Sequence, residues 1–172
     1  MDEHQDEIEI QIQALADEDR DWAAGLLQER WGSVRIVTRS QVHIADQLPG
    51  FVAWQGDERV GLLTYRVEGS DYEIVSLDSL REGIGVGTAL IEAVKAQAKD
   101  SGCTRLWLIT TNDNTPAMKF YERRGFALVT IHKGAVTKAR ERKPEIPDIG
   151  YGGIPIRDEV EFELRLDDGD GA

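Results

Sequence analysis

Cysteine is almost absent from this 172-residue chain. Cys103 is its one thiol, which excludes an intramolecular disulfide and a four-cysteine zinc site. Set in Ser101-Gly102-Cys103-Thr104, it reads as a small buried residue, and no chemistry is assigned to it. Long apolar runs are missing too. Stretches such as Leu106 to Ile109 fall far short of the ~20 residues needed to cross a bilayer, and the chain opens Met1-Asp2-Glu3-His4 instead of basic-then-apolar. The expectation is a cytoplasmic protein with no membrane partner. Basic charge is also in deficit: 20 Lys+Arg against 32 Asp+Glu give a formal charge of −12, which opposes binding to nucleic acid and favours cationic ligands as well as solubility. The three histidines form no H-E-x-x-H or similar spacing, so no metal is expected.

What remains is the composition of an ordinary globule, 41% hydrophobic and 30% charged, in a length suited to one core. No internal repeat is visible, and a single domain over 1–172 is expected, with the acidic end, 167–172, frayed. Alternation of Ile8, Ile10, Ile12 and Ala14 with polar residues predicts a strand over 7–15. Asp17, Glu18 and Asp19 then precede Trp22, Ala23, Leu26, Leu27 and Trp31 at helical spacing, closed by Gly32. Residues 33–49 are ambiguous, with a candidate strand at Val34 to Val37. Phe51 to Trp54 and Val60 to Val67 read as an antiparallel hairpin.

Tyr72 to Leu77 predicts a strand running directly into Gly83-Ile84-Gly85-Val86-Gly87, after which Leu90, Ile91, Val94 and Ala98 mark one face of a helix over about 86–101. Arg105 to Ile109 reads as a strand covered on both faces. Asn114 or Thr115 caps a helix with Pro116 in its first turn, ended by Gly125. Phe126 to Ile131 and Val160 to Leu166 supply the last strands. Between them the Pro- and Gly-rich stretch from Lys143 to Gly153 is too long for a simple turn and is a candidate lid.

A strand that delivers three glycines to a helix start is suited to an anion, because glycines let backbone N–H groups approach and the helix terminus adds partial positive charge. A P-loop is excluded, since no Gly-Lys-Ser/Thr follows. A dinucleotide fingerprint fits poorly: the third glycine comes one position early, and the preceding elements form a hairpin instead of alternating strands and helices.

Two signatures, Gly83-Ile84-Gly85-Val86-Gly87-Thr88-Ala89-Leu90 and Asn114-x-x-Ala117 with Phe120-Tyr121-Glu122-Arg123-Arg124-Gly125-Phe126, agree in order and spacing. Over residues 73–126 the chain closely resembles the GNAT acetyltransferases. The resemblance implies an α/β fold with a mixed, mostly antiparallel sheet split like a V between the Tyr72 to Leu77 and Leu106 to Thr110 strands. It implies transfer of an acetyl group from acetyl-CoA to an amine of a small molecule or peptide, by direct attack in a ternary complex. It places the cofactor along Leu77, Asp78 and Ser79, on the cradle Gly83, Gly85, Val86, Gly87 and Thr88, and against Asn114 and Tyr121. One departure stands out: where the family often carries Arg or Gln, this chain has Glu82, expected to face solvent, with Arg81 beside it to compensate.

An alkyl amine is protonated at neutral pH, so a base or water relay is required before attack. By the resemblance Glu73 is the candidate base, the main-chain N–H near Leu77 the oxyanion donor, and Tyr121 the thioester neighbour and candidate acid. The competing readings are a solvent-facing strand acid for Glu73, a helix cap for Asn114 and a core aromatic for Tyr121. His43 and His132, without a partner motif, read as structural or exposed. Family members are often homodimers, although no interface is legible. A different class of function, a noncatalytic acyl-CoA-binding sensor or interaction module, would keep the cradle without turnover.

Overall fold

The computed structural model describes residues 9–166. Ile8 and the acidic end lie outside the described residues. Strand β1 (Ile10–Ala14) pairs antiparallel with β4 (Gly50–Gln55), and β4 with β5 (Glu58–Glu68), which confirms the expected hairpin. Strand β6 (Asp71–Ser79) continues the antiparallel order and then meets β7 (Arg105–Thr111) in parallel. The chain finally inserts β9 (Glu159–Arg165) between β7 and the edge strand β8 (Ala127–His132), completing the order β1-β4-β5-β6-β7-β9-β8. Helix α1 (Arg20–Trp31) follows a 3-10 turn made by the acids at 17–19, and Gly32 stops it at a φ of 75°.

Strand alternation divides the interior into two apolar clusters. Phe51, Leu63, Ile74, Leu106 and Phe162 face α2 (Val86–Asp100), whose Leu90, Ile91, Val94 and Ala98 are buried as the helical pattern requires. Val52, Leu62 and Val75 face the other way, against Ala23, Leu26 and Leu27 of α1. Helix α3 (Thr115–Arg123) also lies on the α2 face, with Tyr121 in the first cluster.

Residues 33–49 resolve into a separate hairpin, β2 (Arg35–Thr38) and β3 (Gln41–Ile44). Its two-residue turn places Arg39 and Ser40 at φ of 49° and 65°, where Asn-Gly would be the usual sequence. Non-glycine residues in that region cost roughly 1–3 kcal/mol each, so the hairpin is held by what it contacts. The short helix α4 (Ala135–Ala139), which the sequence pattern does not announce, follows β8.

The split between β6 and β7 has a local cause. Their ladder runs from Asp71↔Arg105 to Ile74↔Leu108 and stops. On the other side of β6, Thr64 faces Ser76 and Tyr65 faces Ile74, so Val75 has no opposite number on β5. A residue inserted this way bends and twists its strand. From Val75 onward β6 turns away from β7, and the sheet opens.

Candidate active site

The opened sheet gives access from both faces. On the α3 face a small cavity of about 90 Å³ is lined by Ser76, Leu77, Thr110, Asn114, Ala117 and Tyr121. On the α1 face lies a larger one of about 340 Å³. Trp31, Val75, Ile109 and Thr110 line both, so one gap in the sheet separates two chambers.

The glycine junction lines neither chamber: Gly83, Ile84 and Gly85 line a neighbouring cleft of about 800 Å³ together with Gln55 and Ala89. Gly83 and Gly85 have φ of 77° and 85°, and Gly85 is the N-cap of α2. The first N–H groups of a helix have no intrahelical partner, so those of Val86, Gly87 and Thr88 are available to an anion. Gly87 has a second use: a Cβ there would stand 2.9 Å from Cζ of Phe120, so glycine lets α2 and α3 approach. Glu82 is exposed, as expected. Arg81 is engaged by Glu58 in an exposed ion pair. The cation beside the cradle is instead Arg124, which the sequence analysis did not single out. Its Nε and Nη2 donate to Thr88 Oγ1 at 3.0 and 2.6 Å, and its guanidinium lies over the Phe120 ring.

Asn114 Oδ1 accepts from the Ala117 N–H at 3.3 Å as the cap of α3, which leaves its amide N–H₂ group for a ligand. Tyr121 is 8% exposed and touches Phe120 and Phe126 edge-on. Burial, reinforced by Asp78, holds its phenol protonated well above the ordinary tyrosine range. Asp78 accepts from Trp31 Nε1 at 2.9 Å, tying the end of α1 to the end of β6; burial pushes its carboxyl up. Leu77 pairs with Leu63 and borders the gap, while Ser79 turns its hydroxyl onto the Arg81 carbonyl.

Glu73 lies elsewhere. It is 2% exposed and does not line either chamber. Thr38 Oγ1, which does line the larger one, donates to Glu73 Oε2 at 2.7 Å and lies 2.7 Å from His43 Nε2. With a single hydroxyl proton committed to the carboxylate, Thr38 must accept from the imidazole. Arg66 Nε stands 3.5 Å from Glu73 Oε1. Burial pushes the Glu73 carboxyl above its usual range, partly offset by Thr38 and Arg66. Burial and then Arg66 hold His43 down to about 4, so it is neutral at physiological pH.

Sequence reasoning missed most of this chamber. Thr38 and His43 belong to the ambiguous stretch. Glu159, 2% exposed, reaches the same wall from β9, and its Oε1 accepts the Arg39 N–H at 3.0 Å. The stretch expected to be a lid does cover the chamber, contributing Lys143, Glu145, Ile146 and Pro147. Lys143 Nζ donates to the Trp31 and Arg35 carbonyls at 3.1 and 2.8 Å, and Arg140 Nη2 to those of Pro147 and Ile156 at 2.6 and 2.7 Å. Asp113 accepts the Tyr151 N–H at 3.0 Å and leaves no space for a side chain at Gly150. Only the long Pro/Gly-rich interruption signalled this cover.

A mixed sheet parted between two parallel strands, with a glycine cradle at the helix that follows, is the architecture of the GNAT acetyltransferases. The chain belongs to that family: residues 12–126 match the acetyltransferase (GNAT) family. It is 44% identical over 140 residues to the uncharacterized protein YdhI of Bacillus subtilis (strain 168), covering 81% of this chain and 88% of that one. The fold resembles the IAA acetyltransferase from Bacillus cereus ATCC 14579, with a TM-score of 0.71 at 22% identity over 91% of this chain and 99% of the other. It also resembles a GNAT family acetyltransferase from Elizabethkingia anophelis with acetyl-CoA bound, at a TM-score of 0.66 and 18% identity, covering 91% and 98%. Among the described residues no helix is long and apolar enough to cross a membrane.

Proposed function

We propose that this acetyltransferase transfers an acetyl group from acetyl-CoA to the amine of a small molecule by direct attack in a ternary complex. The observation that carries this reading is the gap behind Val75: Asn114 and Tyr121 border its α3 side, and a separate chamber opens on its α1 side, while the cradle lines a neighbouring cleft at the start of α2. A thioester threaded from the first side would present its carbonyl to an amine held in the second. The solved relative with acetyl-CoA bound supports the choice of donor.

In this mechanism the diphosphate rests on the N–H groups at the start of α2, with Arg124 beside them, and the pantetheine arm meets Asn114. Glu73 takes the amine proton through Thr38: the hydroxyl accepts a proton from the amine side as it releases its own to Glu73 Oε2. The raised carboxyl pKa makes Glu73 a stronger base than an exposed glutamate. An N–H near Leu77 receives the oxyanion, and Tyr121, protonated at neutral pH, is placed to donate to the leaving thiolate. Cys103 borders neither chamber, which favours direct transfer over an acyl-enzyme.

The test is free-thiol release with acetyl-CoA and a panel of amines, alongside calorimetry with CoA. Cofactor binding with amine-dependent release supports the reading. Binding with no release across amines and peptides would identify a noncatalytic acyl-CoA module, and no binding at all would remove the basis of every role given above.

A further inference from the structure

The lid-covered chamber carries charges of both signs at known places, which narrows the acceptor. Strand β2 forms one wall, with Ile36, Val37 and Thr38 on the lining. At its end Glu159 is bound to the Arg39 amide; at its start Lys143 is bound to the Arg35 carbonyl. Three residues of extended chain, 36–38, separate these anchors by about 10 Å at ~3.3 Å per residue. The chamber therefore has Glu159 at one end and Lys143 with Arg30 at the other, where Glu145 on the lining offsets one of the two positive charges. Between them the walls are apolar: Ile36, Val75, Ile109, Val136, Ile146 and Ile156.

Glu159 is the unspent charge. No cationic side chain of the described residues forms an ion pair with it, and Oε2 has no hydrogen-bond partner among them, whereas Glu161 on the same strand is engaged by Arg105 and His132. Arg39 and His132 act on it only from beyond contact distance, and a carboxylate this deeply buried without a contacting counterion is costly unless something cationic joins it. Lys143 is spent, since two backbone carbonyls hold its ammonium. A second positive charge on the ligand would meet Lys143 and Arg30. The volume of about 340 Å³ lies at the bottom of the range of ~300–1,000 Å³ for small-molecule sites, which suits a small molecule better than a peptide chain.

We infer that the acceptor is a small monoamine with an apolar body, its ammonium received by Glu159 beside Thr38 and its hydrocarbon part lying between Val75, Ile109 and Ile146. This rests on the acetyl-transfer reading only in naming the chamber as the acceptor site. Polyamines, aminoglycosides and peptide N-termini are disfavoured, the first two by Lys143 and Arg30 and the last by the small volume. Glu159 is thus a substrate-binding residue, distinct from Glu73, which no ligand in the chamber touches directly.

The experiment is calorimetry of 2-phenylethylamine, spermidine and a tripeptide amide against the CoA-saturated protein, each followed by thiol release with acetyl-CoA. Phenylethylamine should bind at least ~10-fold more tightly than the other two. Glu159→Gln should weaken it at least ~10-fold, and Ile146→Trp, which fills the chamber from the lid, should abolish it. CoA affinity should stay unchanged in both variants, which also reports correct folding. Tighter binding of spermidine or the peptide, no heat with phenylethylamine, or no effect of Glu159→Gln overturns the inference. Phenylethylamine binding without thiol release sustains the inference and sinks acetyl transfer; release with spermidine alone does the reverse.

Discussion

The two chambers on either side of the β6–β7 gap are built on opposite principles. The α3 side uses main chain: the cradle lies within residues 83–88, and Asn114 and Tyr121 follow seven residues apart at the cap and within one short helix. The α1 side uses side chains, with Thr38, Glu73, Lys143 and Glu159 drawn from four separate segments. A main-chain site needs only glycines and a helix start, so it can be carried by a local motif and shared by proteins with different acceptors. A site of side chains depends on register and hairpin placement, and it is where one member of a family can differ from the next.

If the acceptor side alone supplies the base, Glu73→Gln should lower kcat by ~10²-fold or more while leaving the Kd for CoA unchanged. The wild-type rate should rise with pH through a carboxyl pKa above the ordinary glutamate range, because the base must be ionised. That limb should vanish in the variant, and Thr38→Val should remove it as well, by cutting the path to Glu73. A pH–rate profile of each decides the matter: an intact limb in Glu73→Gln removes Glu73 from the reaction.

His43 sharpens the contrast through stability. Its native pKa of about 4 lies below the unfolded value of 6.5. Between those values the unfolded chain binds more protons, so the contribution is fully present above pH 6.5 and lost as pH falls toward 4. The loss amounts to about 2 kcal/mol between pH 6.5 and 5. Glu73 and Glu159, with raised pKa values, act in the opposite direction, gaining stability as pH falls. Urea denaturation of wild type and His43→Gln at both pH values cancels those terms. The variant should lose about 2 kcal/mol less on acidification, and parallel curves would show that the imidazole is not held neutral.

The same contrast explains what was legible in the sequence. Periodicity located β1, α1 and α2, because each exposes one face and buries the other, whereas the β4–β5 hairpin, buried on both faces, was legible as two apolar runs around a turn and α3 by its cap and stop. The cradle and Asn114 were legible because their chemistry is contiguous. Of the β2–β3 hairpin only the candidate strand at Val34 to Val37, which overlaps β2, was legible, since Arg39-Ser40 stands where a turn of that geometry would carry Asn-Gly. Glu159 was invisible for a different reason. On β9 it occupies the same alternating register as Glu161 and Glu163, and only the tertiary placement of the hairpin buries it while its neighbours pair with Arg105. Glu73 was singled out by resemblance, but its partner Thr38 lies 35 residues away with no motif to join them.

The proposed cofactor side should break differently. Gly85 has a φ of 85°, and a Cβ there would meet open space. Gly85→Val therefore introduces backbone strain without a clash, costing ~1–2 kcal/mol, and the loop relieves it by moving its N–H groups. CoA affinity should fall ~10-fold by calorimetry, with kcat at saturating cofactor nearly unchanged. A fall in kcat with affinity intact would mean that the cradle sets the thioester's position more than its binding.

The smallest effect tests whether strain in the β2–β3 turn is stored for the site or merely tolerated. Ser40 sits at a φ of 65° and Arg39 N–H holds Glu159. Ser40→Gly removes one strained residue while keeping both the Arg39 amide and its side chain. Glycine relieves part of the ~1–3 kcal/mol strain but increases the entropy of the unfolded chain, so the net gain is about 0.5 kcal/mol. For a chain of this length that corresponds to a Tm rise of roughly 1–2 °C. If contacts to Glu159 and Glu73 define the hairpin, the amine KM stays the same as Tm rises. If strain positions Thr38, the loosened turn raises KM despite the gain in stability, and the acceptor side then owes its geometry to backbone tension that the cofactor side, built on glycines, does without.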